Sequence, residues 1–209
     1  MTSLNIFQIE KNNEDIRKTV LANICKMLTE RGTLKKDKLD SNIQSLTNKR
    51  PDDSIYIIDK DNYKENEKKQ IAIKLFTTKI KSISKQSVIT EFLNKHQKYH
   101  KIIVVKSINT KSHQYVVAKF QETEMFLEQE LMINLIDNVL VPKYEVLDNE
   151  SDEFKSFCDT YQCKKRNIPK LSVHDPMAKY YNLKKGDIVR IIRPSETSGN
   201  SVYYRIVIN

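Results

Sequence analysis

Cys158 and Cys163 are separated by four residues, a spacing that can supply half of a tetrahedral zinc site. The other half needs two more ligands and only His174 lies nearby, so two thiols at a helix end are the simpler reading. Ser112 adjoins His113, but neighbours along a chain rarely meet in the geometry that proton transfer needs. Asp61, Glu65 and Glu67 could serve a metal-dependent nuclease. They lie among lysines without a repeated ligand spacing, which fits a solvated loop. No Gly-Lys-Ser/Thr phosphate loop occurs, and 3 glycines cannot build a dinucleotide cradle. Neither catalysis nor a cofactor or metal is expected. Arg190, Arg193 and Arg205 differ, because they fall within an apolar strand pair. A planar guanidinium there pairs with a carboxylate of the same domain or of a partner chain, and the partner is the preferred reading.

The elements that must position these groups follow from periodicity and punctuation. Ile16, Val20, Ile24 and Met27 recur at helical spacing after Glu14 and Asp15, and Gly32 supplies a left-handed stop, which predicts a helix over 14–31. Pro51-Asp52-Asp53 is a turn signal before a short strand, 55–58. A charged loop over 59–69 leads to a second strand at 71–76, for which a helical reading stays open. Ser87 caps a helix carrying Val88, Phe92 and Leu93, with His96 near its end. Ile102-Ile103-Val104-Val105 reads as a buried central strand, Asn109-Thr110 as a turn and helix start, and both 126–127 and 131–135 as strands or strand-like edges.

Further on, a strand over 140–147 contains Pro142, and Asp148 or Ser151 caps a helix packing Phe154 and Phe157. Asp175-Pro176 starts a short helix ending near Asn182. Lys185-Gly186-Asp187 turns into a strand over 188–193, and a long connection over 194–200 precedes a final alternating strand. Ser195-Glu196-Thr197 in that connection reads as a loop motif rather than a triad. The expected fold class is α/β plus α+β: an α/β domain with a small mixed sheet over 1–135 and a compact α+β domain over 136–209.

Composition sets the outer limits. The 209 residues suffice for one or two domains with a real core, and 3 Gly with 5 Pro leave little flexible linker. Three cysteines suit a reducing compartment rather than a disulfide framework. Residues 1–30 lack the order of a signal peptide, and no apolar run approaches the roughly 18–20 residues that span a bilayer, so a soluble intracellular protein is expected. The net charge of +9 fits a polyanionic neighbour or a lysine-rich soluble surface. Lys79, Lys81, Lys85, Lys95, Lys98 and Lys101 form a basic region read either as an exposed helix face or as a nucleic-acid contact.

Several segments resemble one family in order and spacing. They are Glu130-Leu131-Met132-Ile133-Asn134-Leu135, Leu140-Val141-Pro142-Lys143, Asp175-Pro176, Leu183-Lys184-Lys185-Gly186, residues 191–199, and Tyr204-Arg205-Ile206-Val207. The chain is similar there to the assembly domain of the fifth subunit shared by the eukaryotic nuclear RNA polymerases, and to the archaeal counterpart of that domain. Arg17-Lys18-Thr19, Arg31-Gly32, 102–105 and Phe126-Leu127-Glu128-Gln129-Glu130 extend the likeness to the eukaryotic first domain. Asp137-Asn138-Val139 departs from a His-containing stretch, and Asn109-Thr110-Lys111-Ser112 replaces a Thr-Pro-Ser-Ala-like turn.

The resemblance implies a non-catalytic polymerase subunit. Its first domain would form part of the lower jaw, with Asn109, Thr110, Lys111 and Ser112 near downstream duplex DNA. Its second would dock on the largest subunit through Val141, Pro142, Lys143, Asp175, Pro176, Tyr180, Arg193, Ser195, Glu196, Thr197 and Arg205. Other polymerase subunits are further partners, with no membrane and no small-molecule substrate. Location would be the nucleus, or a viral factory or virion if a large DNA virus encodes the chain. A stand-alone nucleic-acid-binding regulator and a nuclease-like protein are the alternatives.

Overall fold

The computed structural model describes residues 12–48, 55–62, 68–76, 80, 87–120, 122–147 and 152–209. The chain divides into two compact units between Ile133 and Asn134.

The first unit opens with α1 (Asn13–Glu30), whose acidic start suits the positive end of the helix and whose buried stripe includes Val20, Leu21, Ile24 and Leu28. Gly32 takes a left-handed φ of 73° and closes a Schellman cap, with Gly32 N–H on Thr29 O and Thr33 N–H on Leu28 O. A helix that sequence reading passes over, α2 (Leu39–Thr47), follows and buries Leu46.

Four strands form the first sheet in the order β1 (Ile55–Asp59), β2 (Gln70–Phe76), β3 (His100–Val105), β4 (Thr123–Leu127). The first pair is antiparallel and the other two are parallel. Each parallel step crosses through a helix, α3 (Val88–Lys95) and then α4 (Thr110–Lys119). Both helices pack on the face carrying Ala72, Ile103 and Val105. On the opposite face α1 reaches the sheet through Arg17, which donates to the Tyr56 hydroxyl, and through Arg31. Cover on both sides explains why every residue of β3 is buried, as its β-branched run predicts.

The strand expected over 131–135 is absent. Two 3-10 turns, Glu128–Leu131 and Leu135–Asp137, occupy the region. Side chains satisfy the backbone there instead of a ladder: Glu130 Oε2 accepts from Leu127 N at 2.9 Å, and Asn23 Nδ2 donates to Leu131 O at 2.8 Å.

The second unit is built on a sheet ordered β5 (Lys143–Leu147), β7 (Ile188–Ser195), β8 (Gly199–Ile208), β6 (Lys170–Ser172). The expected strand over 140–147 therefore starts at Lys143. The three-residue β6, too short to show a period, was not expected. On one face α6 (Pro176–Tyr180) contributes Ala178 to a core with Leu171, Val189, Ile191 and Val207. On the other, α5 (Asp152–Thr160) packs Phe154 with Ile168 and Ile188. Alternation along β7 and β8 feeds both cores.

The long connection expected over 194–200 is also corrected. The ladder continues through Arg193↔Ser201, Pro194↔Asn200 and Ser195↔Gly199, leaving only Glu196, Thr197 and Ser198 in the turn. Pro194 has no N–H to donate. It is tolerated because β5 pairs β7 only as far as Lys143↔Ile192, so the outer edge of β7 is open beyond that point.

Candidate functional site

In the second unit, cap chemistry fixes the residues around α6. Asp175 Oδ1 accepts from Met177 N at 2.9 Å, and Pro176 takes the first helical position, where its missing N–H leaves nothing unsatisfied. Asp175→Ala is expected to lower the stability of this unit by about 0.5–2 kcal/mol, seen as a lower denaturant midpoint at unchanged slope. Tyr180 is buried, and its hydroxyl donates to Asn134 Oδ1 at 2.9 Å. Tyr180 thus contributes by bracing the α6 turn from within the unit, not as an exposed contact.

The three arginines of the hairpin separate into two groups. Arg190 stands in register with Glu145 of β5 and Tyr204 of β8 on the α5 face. Its Nη1 bonds Glu153 of α5, its Nε lies 3.2 Å from Glu145 Oε2 outside hydrogen-bond geometry, and Tyr204 donates to the same Glu153 oxygen at 3.2 Å. The intradomain alternative therefore holds for Arg190. Arg193 and Arg205 lie on the opposite face, both exposed, and neither pairs with a carboxylate among the described residues. Tyr203, 53% exposed, stands between them on β8 and faces Ile191.

Beyond Ile192 this ribbon is two-stranded, and its tip carries Ser195, Glu196 and Thr197, with a 3.3 Å contact between the Ser195 and Thr197 hydroxyls. Before β5, Val139 and Leu140 are 94% and 89% exposed and lead into the half-buried Val141 and Pro142. Lys143 pairs with Glu145 at 2.7 Å, a bond that heads the causes lowering the Glu145 pKa.

In the first unit, Asn109 caps α4: its side-chain oxygen accepts from Lys111 N at 3.3 Å. Thr110 and Lys111 are exposed and Ser112 is half-buried. The basic region is smaller than its sequence suggests. Lys95 and Lys98 are exposed, but Lys101 lies on β3 with 2% exposure, and burial lowers its pKa. Lys79, Lys81 and Lys85 lie outside the described residues.

Sequence reasoning missed a buried charge cluster. Arg31 forks onto Glu124, with Nη1 to Oε1 at 2.8 Å and Nη2 to Oε2 at 2.7 Å, and His100 Nε2 meets Oε1 at 2.6 Å. Burial alone would raise the Glu124 pKa. The Arg31 charge and the hydrogen bonds from His100 and Arg31 outweigh it and hold the carboxyl at about 2. The partners lie 93 and 24 residues from Glu124, so no local motif announces them.

Asp61 bonds Lys38 Nζ at 2.5 Å and Lys35 N at 3.1 Å, while Glu65 and Glu67 lie outside the described residues. His96 Nδ1 contacts Phe92 O at 3.0 Å inside the core. No group of three or more metal-ligating side chains occurs among the described residues, so Cys158, Cys163 and His174 do not form a metal cluster. A cavity of about 360 Å³ between α1 and the ends of β2 and β3 is lined by Ile16, Val20, Leu75 and Val104. Its charged members, Glu14, Arg17, Lys106 and Glu128, include no nucleophile beside a base.

A family model described as RNA polymerase Rpb5, C-terminal domain, matches residues 133–207. Across its length the chain is similar to the DNA-directed RNA polymerase subunit 5 of Acanthamoeba polyphaga mimivirus, 35% identical over 209 residues and covering 98% of each chain. It is also similar to subunit rpabc1 of DNA-directed RNA polymerases I, II, and III from Dictyostelium discoideum, 33% identical over 123 residues, or 56% of this chain and 61% of that one. A third relative, DNA-directed RNA polymerase subunit Rpo5 of Methanococcoides burtonii, is 39% identical over 75 residues, 36% of this chain and 94% of that one.

Proposed function

The chain belongs to the Rpb5 family of DNA-directed RNA polymerase subunits, and from this membership we propose that it is a non-catalytic subunit docked on the largest subunit through its second unit. Its first unit would lie at the lower jaw, with the Asn109–Ser112 turn beside incoming duplex DNA. The observation that carries the docking reading is the β7–β8 ribbon. It presents Arg193, Arg205 and Tyr203 without a carboxylate partner, and beyond Ile192, where Arg193 lies, its two strands have no further neighbour. A two-stranded ribbon is marginal in water, and Arg and Tyr are the residue types that dominate interface energies. Exposed Val139 and Leu140 add apolar area to the same unit.

Support for the DNA reading is thinner: a capped ten-residue helix whose first turn carries Lys111, where free N–H groups and a positive charge suit phosphate. The isolated chain is expected to bind duplex DNA weakly, because such a contact works when the rest of the enzyme holds the duplex nearby. Full-length similarity to the mimivirus protein favours a virus-encoded polymerase over a nuclear one. Co-expression of the full chain with the largest subunit of its own polymerase, followed by affinity purification, tests the docking. A stable pair is expected. A folded, monomeric chain that never associates, or one that binds DNA tightly alone at physiological salt, would favour the regulator reading instead.

A further inference from the structure

Helix α5 ends in a Schellman cap. Gln162 adopts a left-handed φ of 47°, its N–H reaches Asp159 O at 3.3 Å, and the Cys163 N–H reaches Cys158 O at 3.0 Å. In this motif the first and last of the six residues meet across the cap, usually as an apolar contact. At the end of α6 those positions hold Ala178 and Leu183, both buried, and at the end of α1 they hold Leu28 and Thr33. Only after α5 do two thiols occupy them.

The Cys158 pKa is raised, first by burial and then by the nearby Cys163. Both cysteines are free, half-buried and packed against the cluster of Phe154, Ile168 and Ile188. With N–Cα about 1.5 Å and Cα to its own carbonyl oxygen about 2.4 Å, the 3.0 Å backbone bond holds the two Cα atoms within about 7 Å. That is the outer limit for a disulfide. Among the described residues no further side chain completes a zinc site, whereas a disulfide needs only the two cysteines.

We propose that Cys158 and Cys163 form a disulfide-closing pair, oxidised by exchange with a small disulfide such as glutathione disulfide. The Cys163 thiolate attacks one sulfur of the small disulfide, forming a mixed disulfide and releasing one small thiolate. Cys158 then gives its proton to solvent and attacks the Cys163 sulfur, which forms the internal bond and expels the second small thiolate. Each cysteine loses one hydrogen and the oxidant ends as two thiols. The second step is intramolecular, at an effective concentration of about millimolar or more, so the mixed disulfide does not accumulate.

The test uses the reduced full chain in mixtures of glutathione and its disulfide, quenched with acid and mapped by peptide mass spectrometry. The expected product is a single internal Cys158–Cys163 bond. Cys25 stays a free thiol, because burial pushes it up to about 12. C158S and C163S should each convert the remaining cysteine to a mixed disulfide with glutathione. The proposal is overturned if the unaltered chain carries glutathione separately on both residues, forms only chain-to-chain dimers, or stays fully reduced under the most oxidising mixture.

Discussion

Arg31→Met is expected to lower the unfolding free energy of the first unit by about 3–5 kcal/mol, the usual result of leaving one member of a buried ion pair uncompensated. Both side chains are less than a tenth exposed, and the two-pronged 2.7–2.8 Å contact is the strongest geometry an arginine and a carboxylate can adopt. The Arg31→Met/Glu124→Met double change should cost less than the single one, because no buried charge is then orphaned. Denaturant unfolding of the chain and its variants decides the matter, and a double variant no more stable than Arg31→Met would remove the explanation. The same cluster sets an acid limit. Glu124 is held at about 2 against an ordinary 4.5, so its contribution is complete above pH 4.5 and is lost as pH falls towards 2. A stability–pH profile should show this loss in the unaltered chain and a smaller one in Glu124→Gln.

If the proposed docking on the largest subunit runs through this ribbon, replacing Arg193 and Arg205 together by alanine is expected to weaken that association at least 100-fold, since a hot-spot arginine costs about 2 kcal/mol or more on truncation and about 1.4 kcal/mol is tenfold. The fold should survive, because both side chains are exposed and pair with no carboxylate among the described residues. Arg190→Ala should do the reverse. It breaks the link from Glu153 of α5 to the sheet and the ion pair with Glu145, so stability falls first. Affinity measured by competition for the largest subunit, alongside unfolding midpoints for each variant, separates the two roles. Unchanged affinity in the double variant would move the docking surface off this ribbon.

Features with local chemistry were legible in the sequence. Ser87, Asn109 and Asp175 each cap the helix that their type predicts, because a cap depends on one side chain and the next two or three N–H groups. The buried β3 was legible from its β-branched run and α6 from Asp175-Pro176, whereas the caps read for α5, Asp148 or Ser151, lie outside the described residues. Leu131–Leu135 was misread because a short apolar run does not separate a strand from a 3-10 turn. Helix α2 did carry a signal, Leu39, Ile43 and Leu46 at helical spacing, but its nine residues lie between two polar stretches and bury only Leu46. The extent of the ribbon was hidden by Pro194, which looks like a strand end and is one only where a neighbour needs its N–H. At the candidate site the pattern of arginines was readable, but which of them find carboxylates was not. Glu153 lies 37 residues before Arg190, and only the folded sheet brings them together.

The interior place of β8 has a consequence for synthesis. Every strand and helix that packs on it leaves the ribosome earlier, yet β7 has no partner on one side and β6 has none at all until residues 199–208 emerge. The first unit, whose sheet is complete by Leu127, can fold while translation continues. The second must wait, so a nascent chain stalled before Gly199 exposes two half-built cores to chaperones and proteases.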